Sequence, residues 1–207
     1  HLYKMQPADI LFEKIIQDHS IENDLLIKTS EHRRSFLRNM QRSNRGLEAG
    51  ELYYKGYNEM ISAMEANKSH LSRQPLFLWN EICSNSFLYE KLNIEHSLCD
   101  MYENEANLTV NLRDKRRYYI SAIEMTTNML NTLSQYHWED SSLIKLPIMQ
   151  DRYHLSKLFK LSGLYYNCMN EFSVQENNTA NKLCIERAFQ FTDAAYHLWE
   201  HDSDHDK

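Results

Sequence analysis

The chain has 207 residues, with 23 basic against 29 acidic side chains and a formal net charge of −6. That balance disfavours nucleic-acid binding, which usually needs a clustered basic excess. Only four glycines and three prolines occur, too few for the turns of a sheet-rich fold. An all-α domain spanning 1–207 is expected, large enough to form a core without metal or disulfide staples.

Pro7 suits the first turn of a short helix with Ile10, Leu11, Ile15 and Ile16 at helical spacing, ending near His19. A second helix is predicted from about Ile21 to Gln41, with Leu25, Ile27, Phe36 and Leu37 inward and Glu31, Arg33, Arg34 and Arg38 outward. The third starts after Asn44 to Gly46 and places Tyr54, Tyr57, Ile61 and Met64 on one stripe. Pro75 breaks it, and Leu76 to Trp79 is predicted to be extended, the one strand-like piece of the chain.

A fourth helix is expected from Asn80 to about Asn107, carrying Phe87, Ile94, Leu98 and Met101. The fifth, from about Arg113 to Tyr136, carries Ile120, Ile123, Thr127 and Leu130. It opens on Arg113, Lys115, Arg116 and Arg117 beside Asp114, read as a solvated helix face, with contact to an acidic lipid surface as the second reading. After a linker from Trp138 to Pro147, a sixth helix runs to about Phe172 with Leu155, Leu158, Ser162, Tyr165, Met169 and Phe172 on its core face. Gly163 within it is expected to admit a close neighbour.

The seventh helix follows Ser173 to Asn178 and runs to about Glu200, leaving 201–207 as a frayed tail. It carries two apolar stripes, one of Cys184, Ala188, Phe191, Ala195 and Leu198, the other of Leu183, Ile185, Phe189, Tyr196 and Trp199. As the last helix of a stack it has one neighbour, so its second stripe calls for another element, a second copy or a partner.

Catalytic signals are absent from the sequence. Cys83, Cys99, Cys168 and Cys184 are scattered, as expected of reduced thiols in a cytoplasmic protein. His197, His201 and His205 recur every four residues, but on a terminal segment where incidental nickel affinity is expected rather than a resident metal. His154 reads as a core histidine. Adjacent Glu90 and Lys91 point about 100° apart on a helix and are expected to serve separate structural contacts. No cofactor and no catalytic residue are expected. No apolar run reaches the ~20 residues of a membrane span, so membrane contact is expected to be peripheral.

Taken in order, these pieces resemble the front half of the BRO domain, the helical module of ALIX-type adaptors of the ESCRT membrane-remodelling machinery. The resemblance runs from about Ala8 to Trp199. Ala8 to Gln17 resembles the family's opening helix, and Leu25 to Met40 its arginine-bearing second helix. Tyr57, Asn58, Glu59, Ser62 and Glu65 resemble its Tyr-Asp-Gln…Ser-x-Glu helix. Leu76 to Glu81 is similar to its Phe-x-Trp-x-Asp segment, and Tyr89, Glu90 and Lys91 stand where its Tyr-Glu-Lys does. The family's glycine-rich loop is shortened to Ile82 to Ser86, and Leu92 to Leu98 lacks its usual Leu-Phe-Asn.

The resemblance implies an antiparallel, tetratricopeptide-like helical stack of about seven helices. It implies a non-enzymatic adaptor, cytoplasmic or peripheral on endosomal membranes, whose concave face receives the amphipathic helix of an ESCRT-III-type partner. By position, Tyr165, Tyr166, Leu183, Ile185 and Phe189 are the partner-binding residues. Two alternatives stand beside this reading. One is an oligomeric structural or signalling scaffold, viral or Rho-effector-like, whose second apolar stripe makes a homo-oligomer. The other is a helical enzyme, which a deep polar pocket with perturbed pKa values would support.

Overall fold

The computed structural model describes residues 23–40, 43–66, 77–79, 82–84, 86–135 and 143–176, together with Glu186, Gln190, Asp193, Ala194 and His197. These residues are all-α apart from one short ribbon. Helix α1 spans Asn23–Asn39, α2 Ser43–Ala66, α3 Phe87–Leu108, α4 Leu112–Ser134 and α5 Asp151–Glu176, with a 3-10 turn at Pro147–Met149 before α5. Strands β1 (Phe77–Trp79) and β2 (Ile82–Ser84) pair antiparallel with Trp79 opposite Ile82. The predicted first helix and the body of the seventh lie outside the described residues. No described helix is long and apolar enough to cross a membrane.

The chain divides into two compact units, His1–Ile94 and Glu95–Lys207, the boundary falling inside α3. In the first, α1 packs along α2. The buried face of α1 is Leu26, Thr29, Ser30, Arg33 and Phe36, a 3-to-4-residue repeat that runs through a charged residue. This corrects two expectations: Arg33 points inward, 1% exposed, and Ile27 outward. A guanidinium tolerates burial only with its charge and donors satisfied, and its partner Glu90 is 57 residues away in sequence. On α2 the stripe is Tyr53, Tyr57, Met60 and Met64, so its phase differs from the predicted one at Tyr54 and Ile61.

Gly56 sits where α2 crosses α1: a Cβ there would lie 2.9 Å from the Thr29 hydroxyl oxygen. Gly163, expected to admit a close neighbour, has nothing within 4 Å of the same construction. Of these two glycines, the tight one is Gly56. A further correction concerns the approach to α3. Ile82–Ser84 belongs to β2, and α3 starts at Phe87 rather than Asn80. Ser86 marks the start, its hydroxyl oxygen accepting the Tyr89 N–H at 3.1 Å as an N-cap does. Trp79 is buried, as expected of the extended segment.

In the second unit, α4 runs antiparallel to the end of α3. Thr132 donates to Glu95 at 2.6 Å, the Cys99 thiol lies 3.2 Å from the Thr126 hydroxyl, and Tyr119 donates to Asn107 at 2.8 Å. The buried face of α4 is Tyr119, Ala122, Ile123, Thr126, Met129, Thr132 and Leu133. Helix α5 returns against α4, with Arg113 over the Phe172 ring at 5.8 Å. Its core face is Leu155, Ser162, Tyr165, Met169 and Phe172, as predicted, with Leu158 partly exposed.

Candidate functional site

Two polar constellations stand out, one in each unit. In the first unit Glu90, fully buried, is the focus of four donor contacts. Arg33 Nε donates to Oε1 at 2.8 Å and an Nη2 contact reaches Oε2 at 3.4 Å. Tyr53 donates its hydroxyl to Oε1 at 2.7 Å, and the Trp79 indole N–H donates to Oε2. The Arg33 guanidinium also lies 5.3 Å from the Phe77 ring centroid and 5.9 Å from that of Trp79, close enough for cation–π attraction. Tyr57 closes the cluster by donating to the Phe87 carbonyl at 2.6 Å. Burial, reinforced by the Glu90 charge, pushes the Tyr53 phenol well above its usual range, so it remains a donor. Every component is enclosed, and the arrangement serves to lock α1, α2, β1 and α3 together.

The second constellation is a seam between the later part of α3 and α5. His96, Asp100 and Glu103 face Tyr153, Lys157 and Lys160, each pair separated by 57 residues. A constant offset means that the two helices run parallel here, and both triplets have the +4, +7 spacing of one helix face. His96 Nε2 lies 2.9 Å from the Tyr153 hydroxyl, and its Nδ1 lies 3.6 Å from Asp100 Oδ2. The tautomer that suits both neighbours carries its proton on Nδ1 and accepts from Tyr153. Lys157 donates to Asp100, and Lys160 lies 2.5 Å from Glu103.

Beside this seam opens a cleft of about 600 Å³ lined by Asp100, Glu103, Pro147, Gln150, Arg152, Tyr153, Ser156, Lys157 and Lys160. Its volume is that of a ligand pocket, but its charges are already matched. Burial would lower Lys157, yet the negative charges of Cys99, once ionised, and of the Asp100 carboxylate outweigh it, and the ammonium is held above its usual range. A lysine kept charged is no nucleophile. Burial lowers His96 and His154 and raises the Cys99 thiol, so all three are neutral at neutral pH. His154 is fully buried and donates from Nε2 to the Ile148 carbonyl at 2.6 Å, the core histidine that the sequence suggests.

Of the predicted partner-binding residues, Tyr165 is buried on the core face of α5 and Tyr166 is partly exposed beside it. Leu183, Ile185 and Phe189 lie outside the described residues, as do His201 and His205. His197 is exposed, 3.5 Å from Asp193. Among the described residues, no group of three His, Cys, Asp or Glu side chains is placed to hold a metal ion. The seam escaped the sequence reading. Its trace was the shared spacing of 96, 100, 103 and 153, 157, 160, which has meaning only once the two helices are known to be neighbours.

The chain matches no family model, no curated protein and no solved structure.

Proposed function

We propose that the chain is a non-enzymatic helical adaptor of BRO type that binds an amphipathic helix of an ESCRT-III-type partner. One observation carries the reading. Four of the segments on which the resemblance rests, the arginine-bearing helix, the tyrosine helix, the Trp79 segment and the Tyr-Glu-Lys helix, meet on the single carboxylate of Glu90. Segments scattered over 57 residues that converge on one buried group are what a shared architecture requires. In the proposed fold α1 to α5 form the middle of a stack of about seven helices. The first is the helix expected to open at Pro7 and end near His19, and the last the helix expected to end near Glu200.

The partner's apolar face would lie against Leu183, Ile185 and Phe189, with Tyr166 at the edge, in helix-in-groove recognition. Tyr165, being buried, would support that face from below rather than touch the partner. The cleft beside the α3–α5 seam fits this reading as a braced helix junction, since Lys157 and Lys160 are engaged by Asp100 and Glu103.

The test is a titration of an ESCRT-III tail peptide against the wild-type chain and Phe189→Asp, with thermal unfolding of both. Loss of an interface anchor costs about 2 kcal/mol or more, roughly thirtyfold in affinity, and unfolding should change less. Equal binding by both proteins overturns the assigned face. Concentration-dependent mass in light scattering, abolished by Phe189→Asp, would favour the oligomeric scaffold instead.

A further inference from the structure

The geometry points to the loop between α3 and α4 as a membrane-contacting tip that inserts Leu108 and Val110 into an anionic lipid surface. The inference is independent of the adaptor reading. Val110 is 92% and Leu108 76% exposed, the two most exposed of the large apolar side chains described. They sit within three residues of each other at the turn of an antiparallel helix pair. Val174, 75% exposed, lies at the same end of the unit, two residues beyond the Phe172 that packs under Arg113.

Several polar groups of this turn are satisfied from within. Thr109 N–H bonds to the Glu105 carbonyl at 3.0 Å, and its hydroxyl donates to the same oxygen at 2.6 Å. The Asn111 side chain caps α4, accepting from Arg113 N–H at 3.0 Å and Asp114 N–H at 3.2 Å, while its carbonyl accepts Lys115 N–H at 2.9 Å. Exposed polar backbone is what makes most loops costly to bring below the headgroups into the hydrocarbon. Here the tip offers side chains with many of its backbone groups already bonded.

Behind the tip the charge changes sign relative to the whole molecule. From Glu105 to Arg117 there are four cations, Arg113, Lys115, Arg116 and Arg117, against the carboxylates of Glu105 and Asp114, in a chain of net charge −6. Asp114 is paired with Arg117, and Glu171 on the neighbouring α5 adds one further carboxylate nearby. The balance at this end remains positive. Basic residues within a Debye length of an anionic leaflet each add about fivefold to binding.

The shape selects the occupant. Two side chains projecting from a convex turn meet little of a rigid protein surface, whereas a fluid interface closes around them, and burial of 5–10 Å is the usual depth of such contacts. A nucleic acid would use the cations and leave the valine and leucine in water.

The experiment is flotation of the full chain with vesicles of phosphatidylcholine containing 30 mol% phosphatidylserine, and with phosphatidylcholine alone, across a salt series. Wild type is expected to float with the anionic vesicles only and to be released as salt rises. Leu108→Asp with Val110→Asp should weaken binding at least tenfold. Lys115→Ser with Arg117→Ser should weaken it by about tenfold or more and flatten the salt dependence. Both pairs are at the surface, and unchanged thermal unfolding of each variant verifies the fold. Failure of the wild type to float, equal flotation of wild type and the apolar variant, or equal binding to neutral vesicles overturns the proposal. So does a fall in oligomer mass in the apolar variant, which would assign the tip to a second copy. Retention of an oligonucleotide by wild type and by the apolar variant, but not by the charge variant, would assign it to nucleic acid.

Discussion

Glu90 and Asp100 stand about three turns apart on one helix, and each faces a cation from another helix, yet Glu90 is fully buried while Asp100 is nearly half exposed. Around Glu90 both oxygens are taken by donors from three different elements, with aromatic rings behind the guanidinium. Around Asp100 there is one ammonium, one imidazole and water. Charge and partner are similar at the two places, and depth decides their effect. A buried pair costs several kcal/mol to desolvate and so must be complete, whereas a half-exposed one is screened and tolerates loss.

The largest expected effect follows from that completeness. Glu90→Gln removes the buried carboxylate charge that Arg33 faces, and should lower unfolding free energy by about 3–5 kcal/mol in urea titrations. Adding Arg33→Met to it should cost little more than either change alone, because the two side chains act as one unit. If Glu90→Gln proves as mild as a surface change, the contrast between the two sites is wrong.

Next in size is a contrast between glycines. Gly56→Ala in the first unit forces a methyl against Thr29, whose hydroxyl is held by the Leu25 carbonyl at 2.6 Å. About 1–2 kcal/mol of destabilisation is expected after allowing for alanine's better helix propensity, and Thr29→Ala in the same chain should relieve it. Gly163→Ala in the second unit meets open space and should stabilise by up to about 1 kcal/mol. Melting temperatures moving in opposite directions would confirm the pair.

Asp100→Asn should cost no more than about 1 kcal/mol, and less at high salt; measured in 0.05 and 1 M sodium chloride, it sharpens the comparison with Glu90. The smallest effect is a pH dependence confined to the second unit. Burial holds His96 and His154 below the ordinary value of 6.5 in the folded state. The unfolded chain therefore takes up protons first, so the stability contribution is full above about pH 6.5 and is lost as pH falls through the folded values. His96→Gln should flatten part of that decline between pH 6.5 and 5, where the carboxylates have mostly yet to titrate.

How far the sequence revealed this depended on the range of the interaction. The core face of α5 was legible because Leu155, Ser162, Tyr165, Met169 and Phe172 repeat at helical spacing, and the extended segment at Phe77–Trp79 because Pro75 precedes bulky apolar residues. In α2 a tyrosine occupies both 53 and 54, and periodicity cannot choose between adjacent faces that are equally apolar; tertiary contact with Phe36 and Glu90 did. Arg33 was read outward because an unpaired arginine belongs in water. Its inward setting required knowing that Glu90 would meet it. Strand β2 has no alternation to betray it, and its pairing is supplied by β1. Of the predicted partner-binding residues, only the environments of Tyr165 and Tyr166 fall within the described residues, and Tyr165 lies deeper than a contact anchor would.

The constant 57-residue offset along the α3–α5 seam has a meaning separate from the strength of any one rung. Slide α5 by one turn in either direction and at most one of the two lysines still meets an acid: Lys160 opposite Asp100 in one case, Lys157 opposite Glu103 in the other. Slide it four residues instead of three and neither does. Leucines along the same interface would accept such slips with little penalty, as apolar surfaces generally do. The seam thus acts as a vernier scale, its paired marks coinciding at a single alignment, so that weak, half-wet contacts select the setting in which two long helices lie side by side.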